Sequence, residues 1–123
     1  MTPTDLVRAF LRAMEARELD RAEAMLAPGF RMRFPGAAPM TDLAALVAWS
    51  RDRYREVAKT FHGIEEAAGG RVVWAHGTLA GLWTDGTPFR GIRFADRFEV
   101  ERGRIARQDV WNDMALHMPG RPA

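Results

Sequence analysis

RVVWAHGTLAGLWTDGTPFRGIRFADRFEVERGRIARQDVWNDMAL, Arg71 to Leu116, alternates apolar and polar residues along three long runs divided by Asp85-Gly86 and Arg102-Gly103. Alternation of period two marks strands with one buried face, and Asp-Gly between two such runs marks a hairpin turn. The spacing predicts strands over Arg71 to Thr84, Pro88 to Glu101 and Arg104 to Leu116. Thr60 to Ala67 adds a fourth, joined through Gly69-Gly70. Hairpin connections make this sheet antiparallel.

Upstream of Lys59 the period changes. Asp5 to Glu18 carries Leu6, Val7, Phe10, Leu11 and Met14 on one helical face, with Thr4 as the expected N-cap. Leu19 to Leu26 repeats the pattern briefly, and Pro28-Gly29 stops it. Phe30 to Phe34 then alternates apolar and basic residues, a short strand with Phe30, Met32 and Phe34 on one face. Thr41 or Asp42 caps a third helix running to Val57, with Leu43, Leu46, Val47, Ser50, Tyr54 and Val57 buried. The expected fold is a single α+β domain over residues 1–123, three N-terminal helices packed on a curved, mainly antiparallel sheet.

Composition narrows the chemistry. The 123 residues include no cysteine, so thiol nucleophiles, zinc ribbons, iron–sulfur clusters and disulfides are excluded. Eighteen basic against sixteen acidic side chains leave a net charge of +2, and every basic residue except Lys59 is arginine. Arg8, Arg12, Arg17 and Arg21 are interleaved with Glu15, Glu18, Asp20 and Glu23, which describes a solvated face and no nucleic-acid-binding patch. His62, His76 and His117 lack the close spacing of metal ligands, and neither a metal nor a cofactor is expected. No uncharged run approaches the ~18–20 residues of a membrane span, and Met1 leads into Thr-Pro-Thr-Asp with no export signal. A cytoplasmic protein without membrane attachment is expected.

The strand from Arg90 to Glu101 is the most informative for function. Its even positions are Arg90, Ile92, Phe94, Asp96, Phe98 and Val100, so Asp96 is expected to point inward among aromatic rings. An acid in such surroundings titrates above its usual range and becomes useful for proton transfer, unless an arginine or the backbone satisfies it structurally. Aligned through Asp85-Gly86, the even residues Trp74, His76, Thr78 and Ala80 face the same interior, which pairs His76 with Asp96 as acid and base. Gln108, Val110 and Asn112 are inward on the last strand, although one bulge would exchange them with Trp111 and Asp113. Phe10, Met14, Met32, Phe34, Trp49, Trp74, Phe94 and Phe98 complete a lining suited to a small, flat, mostly apolar or aromatic ligand, with His62 at its rim. The same residues would equally make an ordinary core. Trp83, with Val73 and Leu79, falls on the outward parity as an expected homodimer face.

The element order, together with Gly77-Thr-Leu-Ala-Gly81, Asp85-Gly-Thr-Pro-Phe89, Phe94-Ala-Asp-Arg-Phe-Glu-Val, Gly103-Arg-Ile and Trp111-Asn-Asp113, resembles the SnoaL-like polyketide cyclase group of the nuclear transport factor 2-like superfamily. The resemblance spans nearly the whole chain. It implies a cone-shaped sheet, a pocket for a polyketide- or steroid-like molecule, and Asp96 as the proton-transferring acid of a cofactor-independent cyclase or isomerase. The ketosteroid isomerases are similar in spacing, but their general base would fall at Phe34 and their phenolic donor at Phe10, which removes that mechanism. Epoxide hydrolases of this fold resemble the chain in the acid of an Arg-x-Asp step, yet Phe94 stands at the arginine position. The glutamate and tryptophan that cyclase relatives show near Arg107 and Asp109 are also missing. Two readings stay open: an acid/base enzyme centred on Asp96 with His76 assisting, or a non-enzymatic, dimeric ligand-binding module.

Overall fold

Thr2, one residue before a proline, starts the first helix. In the computed structural model, which describes residues 1–119, α1 spans Pro3–Glu15 and not Asp5 to Glu18. The Asp5 amide donates to Thr2 Oγ1 (3.2 Å) and the Thr2 amide donates to Asp5 Oδ2 (3.3 Å), a reciprocal cap that Thr4 does not provide. Arg17, at φ 57°, turns the chain out of α1. A short α2 (Leu19–Glu23) follows. The next strand, β1 (Leu26–Arg33), begins before Pro28-Gly29, and an irregularity between Leu26 and Arg31 absorbs that pair.

The third helix is shorter than the sequence suggests. Asp42 caps α3 (Leu43–Ser50), its carboxylate accepting from the Ala44 amide (2.7 Å), and the chain is extended again from Tyr54. Tyr54 and Val57 therefore belong to β2 (Tyr54–Ala67). β3 (Val72–Trp83), β4 (Pro88–Glu101) and β5 (Arg104–Asn112) follow, then one helical turn, α4 (Met114–His117), where the last strand was expected to continue. The sheet order is β1-β5-β4-β3-β2, antiparallel except for the parallel β1–β5 pair. The helices pack on its inner face, where Leu6, Val7, Phe10, Leu11 and Met14 of α1 are buried against the sheet. Phe10 meets Phe98 edge-on at 6.2 Å and Phe30 at 6.4 Å. Each large apolar side chain buried in this layer contributes roughly 1.5–3 kcal/mol.

A single bulge decides which residues face inward. Next to the Asp85-Gly86 turn, Leu82 pairs with Pro88 and Gly81 with Phe89, but Leu79 pairs with Ile92. β4 thus carries one residue more than β3 between those pairs, and Gly91 takes the left-handed φ of 72° that accommodates it. Phe89 is buried and Arg90 is exposed; beyond the bulge Ile92, Phe94, Asp96, Phe98 and Val100 are buried. On β3 the buried residues are odd, including Val73, Ala75, Leu79 and Trp83. A slip of one residue exchanges the faces of a strand. Trp74, His76, Thr78 and Ala80, expected inside, accordingly lie on the outer face. Trp83, Val73 and Leu79, expected outside as a dimer face, belong to the core. The outer face instead carries Trp74 and Trp111, stacked at 5.9 Å.

Glycine also sets the curvature. A Cβ at Gly77 would land on the carbonyl oxygen of Thr60, so β2 and β3 approach each other there as no other residue would allow. β2 has register shifts beside this point, between Phe61 and Gly63, and at its start between Tyr54 and Glu56. The strand curls over the inner face toward α1. Arg12 Nη1 donates to the Lys59 carbonyl (3.1 Å) and Glu15 Oε1 accepts from the Lys59 amide, pinning that curl to the end of α1.

Candidate functional site

The curl of β2 brings Tyr54, Val57 and Lys59 over the inner face, opposite Phe94 and Asp96 of β4 and Val110 and Asn112 of β5. Phe34 and Pro35 after β1, Trp49 of α3, Arg53, Leu79 and Met114 close the remaining sides. The cavity they enclose is narrow, about 40 Å³, and opens to solvent. A second lobe, about 50 Å³, lies toward α1, lined by Phe10, Leu11, Met14, Leu46, Ser50 and Gln108 among others. Phe34, Tyr54, Val57 and Lys59 border both lobes.

Asp96 is the chemical centre of the first lobe. It is 1% exposed, and neither carboxylate oxygen has a hydrogen-bond partner among the described residues. Burial pushes its pKa up to about 6, against the opposing pull of the Lys59 charge and the neighbouring Gln108 amide. Gln108, directly across from Phe98 on β5, favours the ionised form by proximity while lying outside hydrogen-bond geometry, and its own Oε1 is buried without a partner. Lys59 Nζ stands 5.3 Å from the centre of the Phe94 ring. Arg53 lies over Trp49 at 4.5 Å, with a buried and unpartnered Nε. Asn112 Oδ1 accepts from the Met114 amide (3.0 Å), which fixes α4 against the cavity wall.

The expected site residues divide into three groups. Asp96, Phe34, Trp49, Phe94, Val110 and Asn112 line the first lobe, and Phe10, Met14 and Gln108 line the second. Met32 and Phe98 are buried in the core without bordering either lobe. His76, Trp74, Thr78 and His62 are not at the cavity. His76 Nε2 lies 3.2 Å from Glu65 Oε1 on the outer face, so it cannot serve Asp96, and His62 is exposed. The bulge at Gly91 accounts for the first three; His62 is the extra residue of the β2 register shift between Phe61 and Gly63 and is exposed there.

Lys59, Arg53, Tyr54 and Val57 join the cavity beyond the residues the sequence pattern indicates, because the chain is extended from Tyr54 where the apolar spacing predicts helix to Val57. Two signals pointed to them. Lys59 is the one lysine and Tyr54 the one tyrosine of the chain. Val57, Lys59 and Phe61 also alternate, but a charged side chain at the centre of the alternation masked it. Among the described residues no group of three or more metal-ligating side chains lies together, and no helix is long and apolar enough to cross a membrane.

Comparison with known proteins agrees with this architecture. A nuclear transport factor 2-like protein of unknown function from Burkholderia pseudomallei superposes with a TM-score of 0.80 at 20% identity, over 94% of this chain and 95% of that one. A candidate polyketide cyclase from Pseudomonas putida gives 0.69 at 18% identity, covering 90% and 91%. An LEH-like epoxide hydrolase from M. tuberculosis gives 0.71 at 23% identity, covering 90% and 82%. At these identities the likeness establishes the nuclear transport factor 2-like fold. No curated protein matches the sequence. The SnoaL-like domain model matches residues 7–108, from the first turns of α1 to Gln108 beside the cavity, and with that match the chain belongs to the SnoaL-like domain family.

Proposed function

We propose that this protein binds a small, flat, largely apolar carbonyl compound of aromatic or polyketide-like character and moves protons on it with Asp96. The observation that carries the reading is a fully buried carboxyl, without a hydrogen-bond partner, beside an apolar cavity. Near neutral pH such a carboxyl is ionised yet basic, the state wanted in a general base. It takes a proton from the carbon next to the carbonyl, the electron pair of that C–H bond moves onto the carbonyl oxygen, and an enolate forms. In an aldol-type ring closure the enolate carbon bonds a second carbonyl carbon, and Asp96 returns the proton to the new alkoxide. No electron is gained or lost, so the step asks for no redox partner. Membership of the SnoaL-like family and the likeness to a candidate polyketide cyclase support this choice.

Epoxide opening fits less well, because Phe94 occupies the place of a second polar group and Asp96 is the single carboxylate lining its lobe. That lone carboxylate also favours the other reading, a binding module without turnover. Deuterium exchange at the carbons flanking the carbonyl of 2-tetralone, followed by NMR, decides between them. The wild type is expected to accelerate exchange with a rate that rises through pH 6, and Asp96→Asn to lose at least ~100-fold. Exchange that survives in Asp96→Asn, or none in the folded wild type, would leave the binding module as the better account.

A further inference from the structure

Two cations, Lys59 and Arg53, border the first lobe. Among the described residues Lys59 and Arg53 make no ion pair. The carboxylates that might have neutralised them are engaged or absent. Glu15, in the second lobe, holds Arg12 at 2.9 Å and accepts from the Lys59 amide, and Arg17 beside it donates to the Met14 carbonyl. Asp96 is the one acidic side chain facing the first lobe, so its formal charge is +1 even when Asp96 is ionised. Both side chains are half-buried and Arg53 Nε is buried without a partner, so a ligand that brings negative charge satisfies them without breaking an existing ion pair. Both cations sit against aromatic faces, Lys59 over Phe94 and Arg53 over Trp49.

We infer that the cavity selects an organic oxyanion, a flat aromatic molecule whose carboxylate or acidic enolate oxygen is held by Lys59 and Arg53. This rests on the reading of the cavity as a ligand site and names the charge class of what it takes. Lys59 is the stronger determinant, because it borders both lobes and faces Asp96, whereas Arg53 stands beside Trp49. In the proton-transfer scheme the same two cations stabilise the enolate that Asp96 generates.

The test is calorimetric titration of matched probes at pH 7.5. 2-Naphthoate is compared with neutral 2-naphthamide, and 4-hydroxycoumarin, an acidic enol, with neutral 4-methoxycoumarin. At least one anion is expected to bind ten-fold or more tightly than its neutral partner; which pair shows the preference tells carboxylate from enolate recognition. Lys59→Gln is expected to erase the preference and Arg53→Gln to reduce it, while Lys59→Arg keeps it. Should Lys59→Gln fail to fold, the wild-type preference and the Arg variants still decide. Neutral probes binding as well as the anions, no binding of any probe to folded wild type, or a preference untouched in folded Lys59→Gln would each overturn the inference. Asp96→Asn should retain the preference while losing 2-tetralone exchange, so failure of the catalytic reading and failure of this one are told apart.

Discussion

A carboxyl without a partner is an expensive group to bury, and Asp96 carries that cost in a pH-dependent form. In the unfolded chain it titrates near 3.8, in the fold near 6. Below the lower value both states are protonated and the difference vanishes. Between the two, the fold keeps a proton that the unfolded chain has lost, so stability falls as pH rises. Above 6 the whole penalty is present, about 3 kcal/mol for a shift of this size. Asp96→Asn removes the ionisable group at nearly constant volume. It should therefore stabilise the protein by roughly 1–3 kcal/mol at pH 8 and by little at pH 4. Denaturant midpoints at pH 4, 6 and 8 check this, and a substitution that destabilises equally at all three would show that the carboxylate is structurally satisfied. A residue kept at such expense beside a cavity is the pattern of a functional group.

The strands show why part of the site was readable from sequence and part was not. β4 alternates apolar and polar residues from Ile92 to Val100, and that pattern alone places Asp96 inward. β3 alternates as cleanly, but which parity faces inward depends on its register with β4, and one extra residue at Arg90-Gly91 reversed it. Register information of this kind is held in backbone geometry, which alternation cannot report. Lys59 was hidden for another reason, since a charged side chain facing a cavity contradicts the apolar pattern that identifies inward positions. The two glycines behind these features should respond differently to alanine. At Gly91 there is open space around a Cβ, so Gly91→Ala meets only the left-handed backbone and should cost about 1 kcal/mol. At Gly77 a Cβ strikes the Thr60 carbonyl, so Gly77→Ala must spread β2 from β3 and should cost more than ~3 kcal/mol or prevent folding. Thermal unfolding of the two variants side by side checks the ranking; equal effects would mean that the curl of β2 is not held by close backbone approach.

Beneath the curl of β2 the molecule leaves two small voids, about 40 and 50 Å³, between its sheet and helices. Packed interiors lose stability for each void, and evolved sites tolerate that loss where a ligand occupies the space. Val57 is the residue through which this trade is best examined, because it borders both lobes and stands on the strand that curls over them. Val57→Phe places a ring in the space the ligand would use. If the lobes are open, the larger side chain gains contacts without displacing the core, so the denaturation midpoint should hold or rise, by up to about 1 kcal/mol. Affinity for 2-naphthoate should fall at least ten-fold in the same variant. If the lobes were already filled by their own side chains, the added ring would overpack them, and the variant would instead lose roughly 1–3 kcal/mol with no binding to lose. Stability and affinity moving in opposite directions is the outcome a ligand-binding cone requires, because the space that weakens the empty protein is the space the ligand fills.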